Sequence, residues 1–542
     1  MKKIALLALL FLSIAHISSA NFVCVADTSD SGFLGNAAVP AKMLAAKHEY
    51  NENNMRGALI IYREILELEP SNAMALYWTA RCHYALKSYD LAQDYLDRSI
   101  VQEADITNDL NFFQGQIYHR LARLDEAISA YSAYLLENEG KNNYEVYLAD
   151  KFKGECEFAK DVMKKPANVN IENLGTSVNT RFDEYSPSIT SNGDLLVFTS
   201  RRSTTVGNEI DQGGDYKYYE DIYYSEWDKE NGSWTKAFGI EGEVNTPTYD
   251  AVLSISPSGS EIFVYKNNAN SQGDIFMSTY DVHEQSWRAP EKLPRPVNTS
   301  YFESSVSITA IGEKLFFISE RVGGLGQGDI YVSEKTGSGW SKPKNLGNIV
   351  NTDEDEKFVF IHPNGKTLYF ASNGHQCMGS YDIFKTEYLN GQWSIPVNLG
   401  FPINTVNEES TFSLTKDNQT MLIAAEYEDS YGERDIYKVD VSEYPLISSG
   451  YDSSAYGTLL LNLQDEEGQK LKYGEVTFVL KGSNRLVSTR KADKGGLVRI
   501  NLPAGQTYIA QLKSKEGVAE LTIEVPLTPN KPAVIKKNLK QL

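Results

Sequence analysis

From about residue 40 to 165, apolar side chains return every three to four positions, the period of a helix with one buried face. Ala58, Ala92 and Ala127 share one register about 34 residues apart, and Tyr62, Leu96 and Tyr131 each follow four residues later, so each pair lies on one helix face. Pro70 ends the first unit, and Gly115 and Tyr118 stand ahead of Ala127, where a small residue and an aromatic let one helix pack closely on the next. The pattern predicts three helix-turn-helix units, at roughly 40–72, 73–106 and 108–141, with a helix over Tyr144–Met163 capping them. Three units are the fewest that build a continuous core.

From about 171 to 442 the pattern changes to short β-branched and aromatic runs bounded by Gly, Asn, Asp and Ser, which predicts strands. An Asp-Ile-aromatic triplet begins at Asp221, Asp274, Asp329, Asp382 and Asp435, at spacings of 53, 55, 53 and 53 residues. Trp234, Trp287, Trp340 and Trp393 recur at 53, and Asn-Thr pairs begin at Asn179, Asn245, Asn298, Asn351 and Asn404. A period near 50 with about four strands per copy predicts propeller blades, because an open sheet of this size would leave a long bare edge. In the fourth blade the expected strands are Lys357–Ile361, Thr367–Ala371, Asp382–Thr386 and Trp393–Val397.

The fifth copy lacks its Trp strand, whereas Asn173-Leu174-Gly175 ahead of Asn179 repeats Asn345-Leu346-Gly347 and Asn398-Leu399-Gly400. An N-terminal strand is therefore expected to complete the last blade. The reading is five blades; six is the alternative if a degenerate blade lies in the first unit, which the loop from Arg202 to Tyr219 lengthens to 66 residues. Beyond residue 455, strands are expected over Gly457–Leu463, Gly474–Leu480, Leu497–Leu502, Thr507–Leu512 and Ala519–Val525.

The front of the chain reads Met1-Lys2-Lys3, an apolar run from Ile4 to Ile17 and Ser18-Ser19-Ala20, the layout of a signal peptide over residues 1–20. The run falls short of the ~20 residues a bilayer core needs, and no later segment supplies a spanning helix. Export to the periplasm, with outer-membrane association as an extension, is the expected localisation. Cys24 raises a lipoprotein reading, but Val23 and Asn21 occupy the places where a lipobox has a small residue and a leucine, so free export is preferred. Cys82, Cys156 and Cys377 show no CxxC spacing; buried thiols or one disulfide are expected, and no metal or other cofactor.

Charge narrows the partners. The net of -20 becomes -22 on loss of the leader lysines, divided into -27 for residues 21–449 and +5 for residues 450–542. Nucleic acid is excluded, since the body repels phosphate backbones. The opposite signs could steer the two ends toward different partners or bring the basic part against its acidic neighbour.

Five residues beyond each paired Asn stands a carboxylate: Glu184, Asp250, Glu303, Glu356 and Glu409. In a closed ring these would surround one channel mouth, where they could hold a cation or a basic peptide, or each could accept hydrogen bonds at its own blade junction. The junction role is preferred because every copy carries it, and the triplet aspartates Asp221, Asp274, Asp329, Asp382 and Asp435 are read as structural for the same reason. A propeller glycosidase would need acids at non-equivalent positions, since acid and partner require different environments. The chain has no nucleophile elbow, HExxH or phosphate-binding glycine loop. His375, Cys377 and Met378 form the only local soft-ligand cluster, read as an ordinary exposed loop.

The helical repeat, by its period and the residues quoted, resembles the tetratricopeptide repeat. The blades, by "SPSIT..G..L.F.S.R" at 186–201, "SPSG" at 256–259 and the Asp-Ile-aromatic triplets, resemble the WD40-like repeat of TolB-type periplasmic proteins. Asp493-Lys494-Gly495-Gly496 and Leu502-Pro503-Ala504-Gly505-Gln506-Thr507-Tyr508 resemble the carboxypeptidase regulatory-like domain, a transthyretin-like sandwich. The expected fold is thus multidomain α + β: a leader over 1–20, an α-solenoid over 40–165, a β-propeller over 171–442 and a β-sandwich over 455–542.

This order resembles cell-envelope proteins of Bacteroidota, in particular OmpA-family components of the type IX (Por) secretion and gliding machinery. The chain departs from them at the end, with no OmpA-like domain after the sandwich, so direct peptidoglycan anchoring is not expected. The resemblance implies a non-catalytic scaffold that binds envelope or secretion-machinery proteins through the helical groove and the propeller face. A carbohydrate- or cation-binding propeller and a glycosidase are the alternatives.

Overall fold

The computed structural model describes residues 31–211, 216–266, 273–337, 339–449, 456–482, 485–514, 517–526 and 533–542. The expected leader and Cys24 lie outside them. The chain divides after Ile106 into two units.

The first unit holds α1 (Ser31–Asn51), α2 (Met55–Leu68), α3 (Ala73–Ala85) and α4 (Tyr89–Gln102). Asn54 and Asn72 start α2 and α3 by accepting the Gly57 and Ala75 amides at 2.9 Å, which satisfies donors that the first helical turn leaves free. Ala58, Tyr62 and Ile65 of α2 then pack with Val39 and Ala46 of α1 and with Ala75 and Cys82 of α3. The register alanines Ala58 and Ala92 are fully buried, as the 34-residue repeat predicts.

The second unit begins with α5 (Leu110–Arg120), α6 (Leu124–Glu137) and α7 (Tyr144–Met163). Gly115 lets α5 and α6 touch, since a Cβ there would stand 2.6 Å from the Tyr131 ring. Phe112, Tyr131, Phe158 and Ala159 share a core with Met378 and Val406 from the β region. The helices are also tied to that region by His119, whose Nε2 lies 2.8 Å from the Met378 carbonyl, and by the Tyr147 hydroxyl, which donates to Glu354.

Five antiparallel sheets follow. Their first three strands are Glu184–Ile189, Leu195–Ser200 and Asp221–Asp228; Asp250–Ile255, Glu261–Lys266 and Ile275–Asp281; Glu303–Ile308, Lys314–Ser319 and Asp329–Thr336; Glu356–Ile361, Thr367–Ser372 and Asp382–Leu389; and Phe412–Leu414, Thr420–Ala425 and Asp435–Asp440. In the fifth sheet, Asn170–Asn173 pairs antiparallel with Asp435–Asp440, Asn173 standing opposite Tyr437, so an N-terminal strand does complete the last sheet.

The expected Trp strand is not continuous. In the fourth sheet it is two short pieces, Gln392–Trp393 and Val397–Asn398, both on the third strand. Between them the Ser394 hydroxyl accepts the Glu387 amide, and Pro396 has no N–H to give the ladder. In the Arg202–Tyr219 loop the described residues hold one bridge, between Ile210 and Tyr218, rather than a further sheet.

Consecutive sheets adjoin, and the fifth adjoins the first. Ser188 accepts the Ile255 amide at 2.8 Å, Ser305 the Val359 amide at 3.2 Å and Ser413 the Ile189 amide at 3.0 Å. Phe263 packs with Val306 between the second and third sheets, and Phe358 with Phe412, rings 5.0 Å apart, between the fourth and fifth. The β region is propeller-like.

The last part has two sheets around one core that includes Leu459, Phe478, Ile500 and Ile523. Tyr456–Gln464 lies between Leu497–Pro503 and Ala533–Lys540; Arg485–Lys491, Glu475–Leu480, Gln506–Lys513 and Val518–Val525 make the other sheet. Among the described residues seven strands thus stand where five were expected. Ile395 of the fourth propeller-like sheet enters this core, and its amide donates to the Asn501 carbonyl at 3.2 Å.

Candidate functional site

Each of the five repeated carboxylates is buried, and Glu184, Asp250, Glu303 and Glu356 open their innermost strands. Each accepts both the amide and the hydroxyl of the threonine four residues earlier: Thr180, Thr246, Thr299, Thr352 and Thr405. Ser200, Ser319 and Ser372 on the neighbouring strand donate to Glu184, Glu303 and Glu356 at 2.7, 2.7 and 2.9 Å. In the first four sheets the ladder slips register within a few residues of the acid, a bulge that re-aims side chains there.

The asparagine of each Asn-Thr pair works on the preceding sheet. Asn298 accepts the Ile275 amide at 2.9 Å and donates to the Ile275 carbonyl at 2.8 Å; Asn245, Asn351 and Asn404 treat Ile222, Ile330 and Ile383 alike. Asn179 clasps Ile436 of the fifth sheet at 2.8 and 2.9 Å, which shuts the ring. The motif Asn-Thr-x-x-x-acid is thus a clasp: its Asn holds one sheet and its Thr pins the acid of the next.

The triplet aspartates open, or in Asp274 immediately precede, the third strands and tie down the loops before them. Asp329 and Asp382 accept the Leu325 and Met378 amides, Asp221 the Val206 amide, and Asp435 the Tyr431 amide, while Asp274 pairs with Lys292. Burial pushes Asp221 and Asp382 up to about 7.

Charge compensation divides the ring acids. Arg202 and Arg321 reach Glu184 and Glu303 at 3.0 and 3.2 Å, and Lys266 reaches Asp250 at 3.2 Å. Two residues beyond the end of the second strand, where the first and third sheets have these arginines, the fourth has Gly374 and the fifth has Tyr427. Burial there pushes Glu356 and Glu409 up to about 8, with Asp329 and Asp382 adding to the rise. At neutral pH these two are protonated, so the ring is not a circle of five charges.

At one mouth of the ring is a cavity of about 330 Å³ bordered by the inner strands, with Ser186, Val252, Ser305, Phe358 and Thr411 among its walls. Phe302, Glu320, Asp355 and Lys357 complete its rim. Phe302 and Asp355 are the residues just before the ring acids, where the other copies have Asp183, Tyr249 and Glu408. Sequence reasoning passed over this position because it followed what the repeats share; the signal was in what they do not.

Each of these mouth residues has a different environment. Asp183 is held well below the carboxylate range, against its burial, by Arg434 at 3.1 Å and Lys217 at 2.9 Å. Asp355 accepts the Gly328 amide at 2.9 Å and the Tyr381 hydroxyl at 2.7 Å. Lys357 pairs with Glu408 at 2.7 Å. Glu320, exposed at the rim, is raised by desolvation and by Asp355 and Glu303, and has no side-chain hydrogen bond or ion pair among the described residues.

In the loop of His375, Cys377 and Met378, expected to be exposed, Cys377 and Met378 are buried and His375 is half-buried; Met378 packs with Phe112 of α5, and Cys377 with Phe370 and Phe384 of the fourth sheet. His375 uses Nε2 on the Val350 carbonyl at 2.7 Å, and the Cys377 thiol donates to the Ser372 carbonyl at 3.1 Å. Cys82, Cys156 and Cys377 are free thiols, all buried. Among the described residues no group of three His, Cys, Asp or Glu side chains is arranged to hold a metal, and no helix is long and apolar enough to cross a membrane.

These features define a helical-repeat segment followed by a propeller-like β region. A family model described as anaphase-promoting complex, cyclosome, subunit 3 matches residues 51–134, a tetratricopeptide-like match. No curated protein matches the chain. Among solved structures, a luciferin-regenerating enzyme is similar over 50% of this chain and 95% of its own, at 10% identity and a TM-score of 0.30. TolB from Acinetobacter baumannii is similar over 58% and 65%, at 15% identity and 0.28. An α-L-arabinofuranosidase from Podospora anserina in complex with cellotriose is similar over 51% and 97%, at 13% identity and 0.31.

Proposed function

We propose that this chain is a non-catalytic scaffold of the bacterial cell envelope, exported to the periplasm and accessory to type IX secretion or gliding. In this reading the β region is a five-bladed propeller and the last two sheets are a transthyretin-like sandwich. The observation that carries it is the use of the repeated side chains: asparagines, threonines and carboxylates are engaged in holding blade to blade, which leaves the conserved geometry of the repeat without a reacting group. The helical segment supports it with large apolar side chains left in water, Ile60 at 61% and Val101 at 81% exposure. Tetratricopeptide-like repeats commonly bind protein segments, and partners here are envelope or secretion-machinery proteins.

The test is affinity purification of the tagged full chain from its native envelope. Specific protein partners, diminished by Ile60→Asp or Val101→Asp, are expected; recovery of none overturns the reading.

A second reading, a glycosidase or sugar-binding propeller, is favoured by Glu320 and Asp355, two acids at non-equivalent positions on one cavity. Hydrolysis of aryl glycosides that Glu320→Gln abolishes would establish it in place of the scaffold.

A further inference from the structure

The cavity at the channel mouth is built by departures from the repeat. The third copy places Phe302 where others have polar or larger hydroxylated side chains, and its ring lies over Gly273: a Cβ on that glycine would stand 2.0 Å from the ring, and its φ is +87°. Tyr265 flanks the ring at 6.2 Å between centroids. The third copy also places Glu320 one residue after the second strand, where the first has Arg201 and the fourth Asn373. Asp355 is fixed from two sides, by the Gly328 amide and Tyr381; a Cβ on Gly328 would stand 2.5 Å from its Oδ1.

The surrounding charges are spent elsewhere. Lys357 lies over the Tyr381 ring at 4.7 Å and pairs with Glu408, and Arg321 behind the wall is held by Glu303. Lining the open volume beside Lys357, Val252 and Phe358 are a carboxylate without a side-chain partner among the described residues, a second carboxylate, a phenyl ring, and the hydroxyl-bearing Ser186 and Thr411. A phenyl face beside carboxylates suits a cation with an extended stem, which can sit over the ring while its head pairs with the acids. A volume of about 330 Å³ is at the small end of ligand sites, the size for one long side chain rather than a folded segment. The acidic body of the chain would draw such a partner in.

We infer that this cavity receives a basic side chain, arginine before lysine, from a protein partner, with Glu320 and Asp355 pairing the guanidinium and Phe302 stacking on it. The inference rests on the scaffold reading and names the chemistry of its partner at the propeller face.

The test titrates the full mature chain with acetyl-Gly-Arg-Gly-amide, its citrulline counterpart and cellotriose by isothermal calorimetry. The expected result is binding of the arginine peptide at least tenfold tighter than the citrulline peptide. Glu320→Gln should weaken it at least tenfold and Phe302→Ala at least threefold, while the melting temperature of the rim variant Glu320→Gln stays unchanged. Equal binding of arginine and citrulline peptides, no binding of either, binding of cellotriose alone, or no effect of Glu320→Gln would each overturn the inference. In parallel, envelope pull-downs with wild type and Glu320→Gln separate the two readings: partners recovered equally by both leave the scaffold standing and remove the pocket, whereas no partners from either removes the scaffold.

Discussion

Replacing Glu303 and Glu356 by glutamine, one at a time, sets two outwardly equivalent positions against each other. Both side chains are fully buried and both accept from a threonine and a serine. Either substitution sets an amide nitrogen against the threonine and serine hydroxyls that donate to Oε1 and so costs about 1–2 kcal/mol for a donor left poorly met. Glu303→Gln in addition strips Arg321 of its counter-charge, and breaking a buried pair costs about 3–5 kcal/mol. Glu356 has no such cation, and with its pKa near 8 it is already neutral at pH 7. At that pH Glu303→Gln should therefore be the more damaging by about 3–5 kcal/mol.

The pH dependence gives a second, independent readout. Glu356 titrates near 4.5 when unfolded and near 8 when folded, so the native state holds the extra proton between those values. Its contribution is fully present below pH 4.5 and is lost as pH rises through 8, at about 1.4 kcal/mol per pH unit between them. Glu356→Gln removes that slope and Glu303→Gln does not. Urea unfolding at pH 6, 7, 8 and 9, followed by the tryptophan fluorescence of the β region, measures both effects. Equal destabilisation at pH 7, or an unchanged slope in Glu356→Gln, would refute the argument that the ring acids differ in their charge compensation.

Three further outcomes are expected. Asn179→Ala leaves the buried amide and carbonyl of Ile436 unmatched and should cost about 2–4 kcal/mol in urea unfolding, more than Asn245→Ala, whose position is half-buried. Gly115→Ala drives a methyl group into the Tyr131 ring and should lower stability by about 1–3 kcal/mol, read as a drop in melting temperature. Cys82, Cys156 and Cys377 should resist a thiol reagent at pH 8 until the protein is unfolded, because burial pushes the first two up to about 12 and the third well above its usual range; fast labelling of any of them in the native state would contradict their burial.

The repeats made most of the architecture legible. The helix over Tyr144–Met163 and the third-strand starts at Asp221, Asp329, Asp382 and Asp435 fall where the spacing puts them. Periodicity works there because each copy solves the same packing problem with the same residues. It fails where strands are disguised: Ala533–Lys540 carries Lys536, Lys537 and Lys540 at exposed positions, and Arg485–Lys491 ends on two basic residues, so their apolar alternation is masked by charge. The Trp strand looked continuous because a tryptophan advertises a strand, whereas its interruption depends on a serine hydroxyl contacting an amide seven residues earlier. For the site, repetition located the five acids but could not tell which have a cation beside them, since that depends on Arg202, Lys266 and Arg321 at positions the motif does not include. Phe302, Glu320 and Asp355 carry no repeated signature at all.

The strand that completes the fifth sheet also sets how the molecule meets a pulling force. Asn170 stands opposite Asp440, so the chain enters and leaves the ring at the same end of one antiparallel pair. Tension between the flanking segments, once α5 to α7 on one side and the last two sheets on the other are peeled from the β region, would part that pair one rung at a time rather than shear it along its length. Asn173 and Asn179, which hold Asp435 and Ile436 at the far end of the pair, are then the last rungs before the ring opens. A seam of this kind opens from its outer rung inward, and leaves the clasp at Asn179 to decide when the ring itself gives way.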